Sequence, residues 1–278
     1  MSDYVAVNKA NWNSRVPHHL TGYDLDRFRD DPTFISDVVR FDLPRLGDIS
    51  GLDVVHLQCH IGTDTVSLAR LGANSVTGLD FSPVALDAAR TLAHEFGASV
   101  QYVESEVYDA PRVLGTERFD LVYTGVGALC WLPDIRRWAS VVAMLLRPGG
   151  RLFIREGHPM LWALSDPRLD GLLTVEFPYF ETDGVHFSET QTYVAHEGEL
   201  ASPDTVAFNH GIGEIISALL AQGFLLTGFD EHDSVPWNAL DAQMEDIGAG
   251  EFRLREDPLR LAASYTLQAV KIAEPPLR

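Results

Sequence analysis

Residues 54–65 read Val-Val-His-Leu-Gln-Cys-His-Ile-Gly-Thr-Asp-Thr, and Gly78-Leu79-Asp80-Phe81-Ser82 follows them. An apolar run enters a short loop with one glycine, and an amphipathic helix begins immediately after it. Roughly twenty residues later a second apolar run ends in a single acid, Asp80. This layout predicts a βαβ unit whose strand-end carboxylate accepts hydrogen bonds from the two vicinal hydroxyls of a ribose. The loop lacks the Gly-x-Gly-x-x-Gly spacing that lets backbone approach a dinucleotide pyrophosphate, which argues against a nicotinamide-dependent oxidoreductase. A ribose-binding acid without a pyrophosphate loop points to S-adenosylmethionine, whose adenosine carries an amino acid instead of phosphates.

The rest of the chain extends the same rhythm. Strands are predicted at Asp53–Leu57, Ser75–Leu79, Val100–Val103, Phe119–Tyr123 and Arg151–Arg155, separated by helices. The helix after Asp80 is the best marked: Ser82 at the N-cap, Pro83 at the first helical position, an apolar face of Ala85, Ala89, Leu92 and Phe96, and Gly97 as the stop. Asp134 caps the helix carrying Ile135, Trp138, Val142 and Leu145, and Thr33 is expected to cap an earlier helix that stops near Pro44. Alternation at Leu173, Val175, Phe177 and Tyr179, with Thr190, Thr192 and Val194 later, predicts antiparallel lid strands. The expected division is a helical cap at 1–45, a cofactor-binding core at 46–160, a β-rich substrate lid at 161–208 and a completing segment at 209–278. Residues 238–258 carry no clear pattern, and the Pro-rich end reads as a tail.

Composition narrows the function classes. Lys+Arg of 21 against Asp+Glu of 40 gives a net charge of −19, a field that repels polyphosphates, so nucleic acid is not an expected partner. Two cysteines exclude a disulfide-stapled scaffold. No run approaches the ~20 apolar residues of a membrane span, and the N-terminus lacks a signal-peptide pattern, so a cytoplasmic protein with no membrane partner is expected. His56, Cys59 and His60 invite a zinc reading, but residues three apart on a strand point to opposite faces, and no metal is expected.

On the motif His56-Leu-Gln-Cys-His-Ile-Gly-Thr-Asp-Thr65, with Phe119-Asp-Leu-Val-Tyr-Thr-Gly125, Leu146-Arg-Pro-Gly-Gly-Arg151 and Asn209-His210 before a helix, the chain resembles the class I S-adenosylmethionine-dependent methyltransferases. The matching blocks run from about residue 8 to residue 272. In the wider superfamily the first motif is usually an acid followed by Gly-x-Gly-x-Gly; here His56, Gln58 and His60 stand at the acid and two of the glycines. The resemblance implies an α/β, doubly wound, mostly parallel seven-stranded Rossmann-like sheet with helices on both faces. An antiparallel β lid follows the fifth strand, and a terminal antiparallel pair at 224–229 and 263–272 completes the sheet. It implies Glu106 and Val107 at the adenine, and Thr124 and Gly125 at the methionine end.

The remaining site residues follow from their positions. Phe81 lies along the adenine and Ser82 continues the site beside Asp80. Gly62 permits close approach to a helix N-terminus that favours the methionine carboxylate, with Gln58, Cys59 and Thr65 lining that part. Trp12, Arg15 and His19 form a cap, with Arg15 paired to the same carboxylate. His158 and His210, with Glu156 as a weaker alternative, are the candidate general bases. Trp131, Tyr179 and Trp237 are the candidate acceptor contacts, within an aromatic set that includes Trp162, Phe177, Phe180, Phe187 and Tyr193. The expectation is methyl transfer to O, N or C of a small-molecule acceptor, releasing S-adenosylhomocysteine, by a monomer or homodimer. A non-catalytic S-adenosylmethionine-binding protein, and an enzyme using the cofactor for another reaction such as cyclisation, remain open.

Overall fold

A computed structural model describes residues 4–168, 170–194 and 197–272; the tail read from the Pro-rich end lies outside them. Three helices come first: α1 (Tyr4–Gly22), α2 (Leu25–Asp30) and α3 (Asp37–Leu46). Then β1 (Asp53–Leu57), α4 (Thr63–Arg70), β2 (Ser75–Asp80), α5 (Pro83–Glu95), β3 (Gln101–Glu104), α6 (Ala110–Leu114), β4 (Phe119–Thr124), α7 (Ile135–Leu145) and β5 (Leu146–Gly157) alternate. Next come α8 (Pro159–Trp162), β6 (Val185–Ser188), β7 (Asp204–Ala207) and α9 (Ile212–Ala221). The chain closes with β8 (Phe224–His232), β9 (Ser234–Val235), β10 (Met244–Asp246), β11 (Phe252–Leu254) and β12 (Ser264–Lys271).

Seven strands form one sheet in the order β3-β2-β1-β4-β5-β12-β8. The first five are parallel, and β12 runs antiparallel between β5 and β8. This is the expected Rossmann-like sheet. β1 and β4 are buried along nearly their whole length, which is why they read as continuous apolar runs. One face packs on α6, α7 and α9 through Trp138, Val142 and Leu219; the other packs on α3, α4 and α5 through Val39, Leu68 and Leu86. Chain order reverses beside β1, where β4 lies opposite β2, and the crevice at that switch point is the place where such sheets bind ligands.

Local signals decided some elements and misled at others. Ser82 accepts the Ala85 N–H at 3.0 Å and Pro83 opens α5, as the pattern required. Thr33 does not cap α3: its N–H and hydroxyl are both taken by Asp31 Oδ1, and Ser36 accepts the Val39 N–H instead. The alternation at 173–179 forms only an isolated bridge, Leu164 to Val175, and Pro178, which has no N–H to give, interrupts it. The paired lid strands are β6 and β7. The unpatterned stretch at 238–258 contributes β10 and β11, which with β9 form a second, three-stranded sheet in the order β10-β11-β9.

That small sheet is tied to the main one by charge. Arg155 on β5 is fully buried, and its Nη2 donates to both oxygens of Glu251 at 2.9 and 2.8 Å. Ser234 on β9 donates to the same carboxylate at 2.7 Å. Removing Glu251's charge strips the buried guanidinium of its hydrogen-bonded counter-charge. Glu251→Gln is therefore expected to lower unfolding stability by about 3 kcal/mol, read from urea denaturation. A loss under about 1 kcal/mol would mean that the pair does not anchor the insertion.

Candidate active site

The loop after β1 follows an unusual backbone path. Gln58, His60 and Gly62 all have positive φ, at 56°, 49° and 80°. These alternate positions are where the superfamily motif places its three glycines, so the loop keeps the left-handed path with side chains at two of them. Such residues cost about 1–3 kcal/mol each and persist only where the surroundings over-determine them. Here they are well fixed. Gln58 Nε2 donates to the Ala128 carbonyl at 2.9 Å, and the His60 N–H donates to Asp80 Oδ2 at 2.8 Å. His60 Nε2 and His19 Nδ1 are 2.7 Å apart, so one ring donates and the other accepts. At Gly62 a Cβ would also overlap the Tyr102 hydroxyl, which leaves glycine as the residue that fits.

Asp80 ends β2 as expected, with 5 % of its surface exposed. Oδ1 accepts the Ser82 N–H at 2.8 Å, and burial pushes its carboxyl pKa up to about 6 against these N–H bonds. Each carboxylate oxygen keeps a second lone pair for a ligand. Ser82 is less free: its hydroxyl caps α5 and donates to Asn13 Oδ1 at 2.6 Å, so it ties α5 to α1 instead of reaching a ligand. Phe81, Glu106, Val107, Gln58 and Trp131 line one narrow crevice of about 40 Å³. Tyr4, Val5 and Asn8 of α1 close over it, a wall missing from the sequence reading.

Gln58 Oε1 and Trp131 Nε1, on two residues of the crevice wall, are buried without a protein partner, as is Thr124 Oγ1 at the end of β4. Buried polar atoms are normally paired, so the orphans on the crevice wall point to a polar ligand. A Cβ at Gly125 would stand 3.5 Å from His56 Nε2 and 3.7 Å from Asp64 Oδ2. Asp64 therefore lies beside Gly125, although its position in the motif gave it no role. Thr65 is fully buried and its hydroxyl meets His56 Nδ1 at 2.9 Å, a supporting position behind the wall. Cys59 is buried among Tyr102 and Gly78, and burial holds its thiol well above the ordinary range, so it packs and does not react.

The N-terminal cap meets this loop and the lid. Trp12 packs edge-on against both His60 and Trp131, and His19 joins His60 to Thr192 Oγ1 at 2.9 Å. Tyr23 and Tyr193 share a hydroxyl hydrogen bond of 2.6 Å. Asn8 pairs with both backbone groups of Val206 on β7, which fastens α1 to the lid. Arg15 is 7 % exposed; it donates to Asn11 Oδ1 and Thr192 Oγ1, and it borders a second, larger cavity.

That cavity, about 230 Å³, is walled by Trp131, Trp162, Phe177, Phe187, Phe208 and Trp237. Trp162 and Trp237 stack at 5.4 Å. Trp131 forms part of both cavities. Tyr179 is not on this wall: its hydroxyl accepts the Ile212 N–H at 3.3 Å at the start of α9. Phe180 is 66 % exposed and takes no part.

The three candidate bases are occupied elsewhere. His158 Nδ1 accepts the Met160 N–H as the N-cap of α8, and its Nε2 lies 3.0 Å from Glu231. His210 Nε2 donates to the Leu132 carbonyl at 2.7 Å, and Nδ1 faces Glu181 at 2.8 Å. Neither lines the aromatic cavity. Glu156 accepts four backbone N–H groups, from Gly127, Ala128, Leu129 and Gly157, at 2.6–2.8 Å. It shapes the loop that carries Trp131 and has no acceptor position left for an incoming proton.

A methyltransferase-domain family model matches residues 55–152, the stretch from β1 into β5 that builds this crevice. Residues 55–152 are a methyltransferase domain. A methyltransferase of Penicillium fellutanum, phqN, is 28% identical over 200 residues, covering 70% of this chain and 53% of its own length. The ubiquinone biosynthesis O-methyltransferase of Erwinia tasmaniensis is 38% identical over 104 residues, covering 37% of this chain and 41% of its own. This chain thus spans about half the length of these relatives. A Listeria monocytogenes protein assigned to the S-adenosylmethionine-dependent methyltransferases superposes with a TM-score of 0.62 at 17% identity. That likeness, which covers 85% of this chain and 97% of the other, concerns the fold. The methyltransferase domain's cofactor is S-adenosylmethionine, and the orphaned polar atoms, the strand-end acid and the glycine-only turn fit it.

Asp80 predicts a pH dependence of cofactor binding. Only the ionised carboxylate offers all its acceptors to a diol, and this carboxyl holds its proton up to about pH 6. S-adenosylhomocysteine affinity should be flat above that value and fall roughly tenfold per pH unit below it, measured by isothermal titration. Asp80→Asn should bind weakly throughout. Equal affinity at about pH 5 and about pH 7.5 would remove Asp80 from the ribose site.

Proposed function

We propose that the protein is a small-molecule methyltransferase, with the cofactor in the crevice between β1, β2 and α1 and the acceptor in the aromatic cavity beyond Trp131. The observation that carries this reading is the shared wall. One tryptophan borders both spaces, so the two adjoin at Trp131, and a shift of that side chain would open one to the other. Asp80 takes the ribose diol, with Phe81, Glu106 and Val107 around the adenine. The first-turn N–H groups of α4 receive the methionine carboxylate, as unpaired donors at a helix N-terminus do for anions. The Asp64 carboxylate, 3.7 Å from where a Cβ on Gly125 would stand, takes the ammonium group.

Bound S-adenosylmethionine supplies an electrophilic methyl group on a positively charged sulfur. Transfer disperses that charge, so alignment and exclusion of water supply much of the acceleration. The chain's contribution is the enclosure: α1 covers the crevice, the lid covers the acceptor, and the two are joined at Asn8, Asn11 and His19. A nucleoside enters when α1 lifts, because the closed crevice is too small for it.

The test is to incubate the protein with methyl-labelled cofactor and a mixture of small aromatic, enolic and amine acceptors, and to follow label by mass spectrometry. Label should move to a small acceptor. Trp131→Ala should lower turnover by about 10²-fold while S-adenosylhomocysteine still binds. A cofactor that binds and is never consumed would identify a binding protein and not an enzyme.

A further inference from the structure

We propose that the acceptor is a flat aromatic or enolic molecule that binds as its oxygen anion, with Arg15 facing that anion at the edge of the aromatic cavity. This rests on the methyltransferase reading and specifies its substrate.

The argument begins with an unmatched charge. Arg15 and Arg155 are the buried arginines among the described residues. Arg155 has Glu251. Arg15 has two neutral partners, Asn11 Oδ1 at 2.6 Å and Thr192 Oγ1 at 3.2 Å, and its guanidinium lies over Trp12 at 5.1 Å. Among the described residues no carboxylate pairs with it; Glu189 on the lid is exposed and acts only through space. The other titratable groups near it are Tyr23, His60, Cys130 and Tyr193, none of them a carboxylate. A buried cation without a counter-charge is costly unless a ligand brings the anion.

Position decides which ligand. Arg15 borders the aromatic cavity with Trp131 and Phe187; the adenine crevice of Phe81, Glu106 and Val107 does not include it. The methionine carboxylate has the N–H groups of α4. The anion left for Arg15 is the acceptor's own. The chemistry agrees, because the cavity holds no usable base. Its titratable lining residues besides Arg15 are Cys130, whose thiol burial holds protonated, and Asp166 and Glu189, which are exposed. A neutral hydroxyl would have no buried group to take its proton. An oxygen that has already lost its proton to solvent needs none. Its lone pair forms the new bond to the methyl carbon as the carbon–sulfur bond breaks, and that bonding pair returns to sulfur. A cavity of about 230 Å³, below the ~300 Å³ of drug-sized pockets, suits one or two planar rings stacked on tryptophan.

The experiment is a spectrophotometric pH titration of 4-nitrophenol and 4-nitro-1-naphthol, whose neutral and ionised forms differ in colour, bound to the full chain with saturating S-adenosylhomocysteine. At least one probe should bind and ionise about one pH unit or more below its free value. Arg15→Gln should abolish that shift while leaving S-adenosylhomocysteine affinity within about twofold, and Arg15→Lys should keep part of the shift. The proposal is overturned if neither probe binds, or if a bound probe ionises at or above its free value. It is overturned equally if Arg15→Gln weakens S-adenosylhomocysteine roughly tenfold, which would assign Arg15 to the methionine carboxylate. Unshifted probes on a protein that binds S-adenosylhomocysteine would leave the methyltransferase reading intact; absent S-adenosylhomocysteine binding would remove both.

Discussion

The Asp80 carboxylate accepts one N–H from the loop after β1 and another from the N-cap of α5, so the two halves of the crevice are fixed by a single buried anion. The loop conformation depends on it. His60 stands at φ 49°, a position that its own preferences disfavour, and the bond from its N–H is one of the contacts that holds it there. The anion is also held at a cost. A carboxyl whose folded pKa is pushed up to about 6 contributes stability below its unfolded value near 3.9 and loses it as pH rises through 6. At neutral pH the ligand-free fold therefore keeps this carboxylate ionised against its preference. On the proposed reading, two ribose hydroxyls would restore the hydrogen bonds that burial removed, turning a structural cost into affinity.

Much of this was legible because its signals are local. Strand ends, the Ser82–Pro83 cap and the acid at position 80 lie next to each other in sequence, and the parallel sheet follows from their spacing. The false signals were also local. A histidine just before a helix looks the same whether it is a base or a cap, and His158 proves to be a cap. Glu156 looked available because its donors are mostly on a loop 27–29 residues earlier in the chain, which no local pattern reveals. Alternation at 173–179 looked like a strand, but a strand needs a partner, and a single bridge is all that forms there. Asn8, Asn11 and Asn13 offered a signal that went unused. Asparagine is a poor helix former, and three within α1 imply work for their side chains, here bonds to β7, Ser202 and Ser82.

The cavities differ in how their walls are built. The cofactor crevice is made by strand ends and by the loop and caps that follow them, all set by the main sheet. The aromatic cavity draws Arg15 from α1, Trp131 from the loop after β4, Phe177 and Phe187 from the segment around β6, and Trp237 from the insertion after β8. Segments so far apart in sequence meet there only because the core positions each of them.

The attachments of those walls combine apolar packing, as in the cluster of Leu161, Val235, Leu240, Met244 and Leu254, with a few polar, directional bonds. The insertion bearing Trp237 hangs on β5 through Arg155, Glu251 and Ser234, and the lid hangs on α1 through Asn8, Asn11 and the His19–Thr192 contact. The apolar packing holds the walls against the core, and the polar bonds fix each wall in one register. The consequence is a division of labour. Substitutions on the inner faces of the walls change the shape offered to an acceptor without touching the atoms that orient the walls. The Asp80 loop, fixed from the opposite side by β1 and α5, remains as it was. On the proposed reading, acceptor specificity is thereby separated from cofactor binding in the physical connections of the fold, and Trp131, common to both cavities, is where the two would still constrain each other.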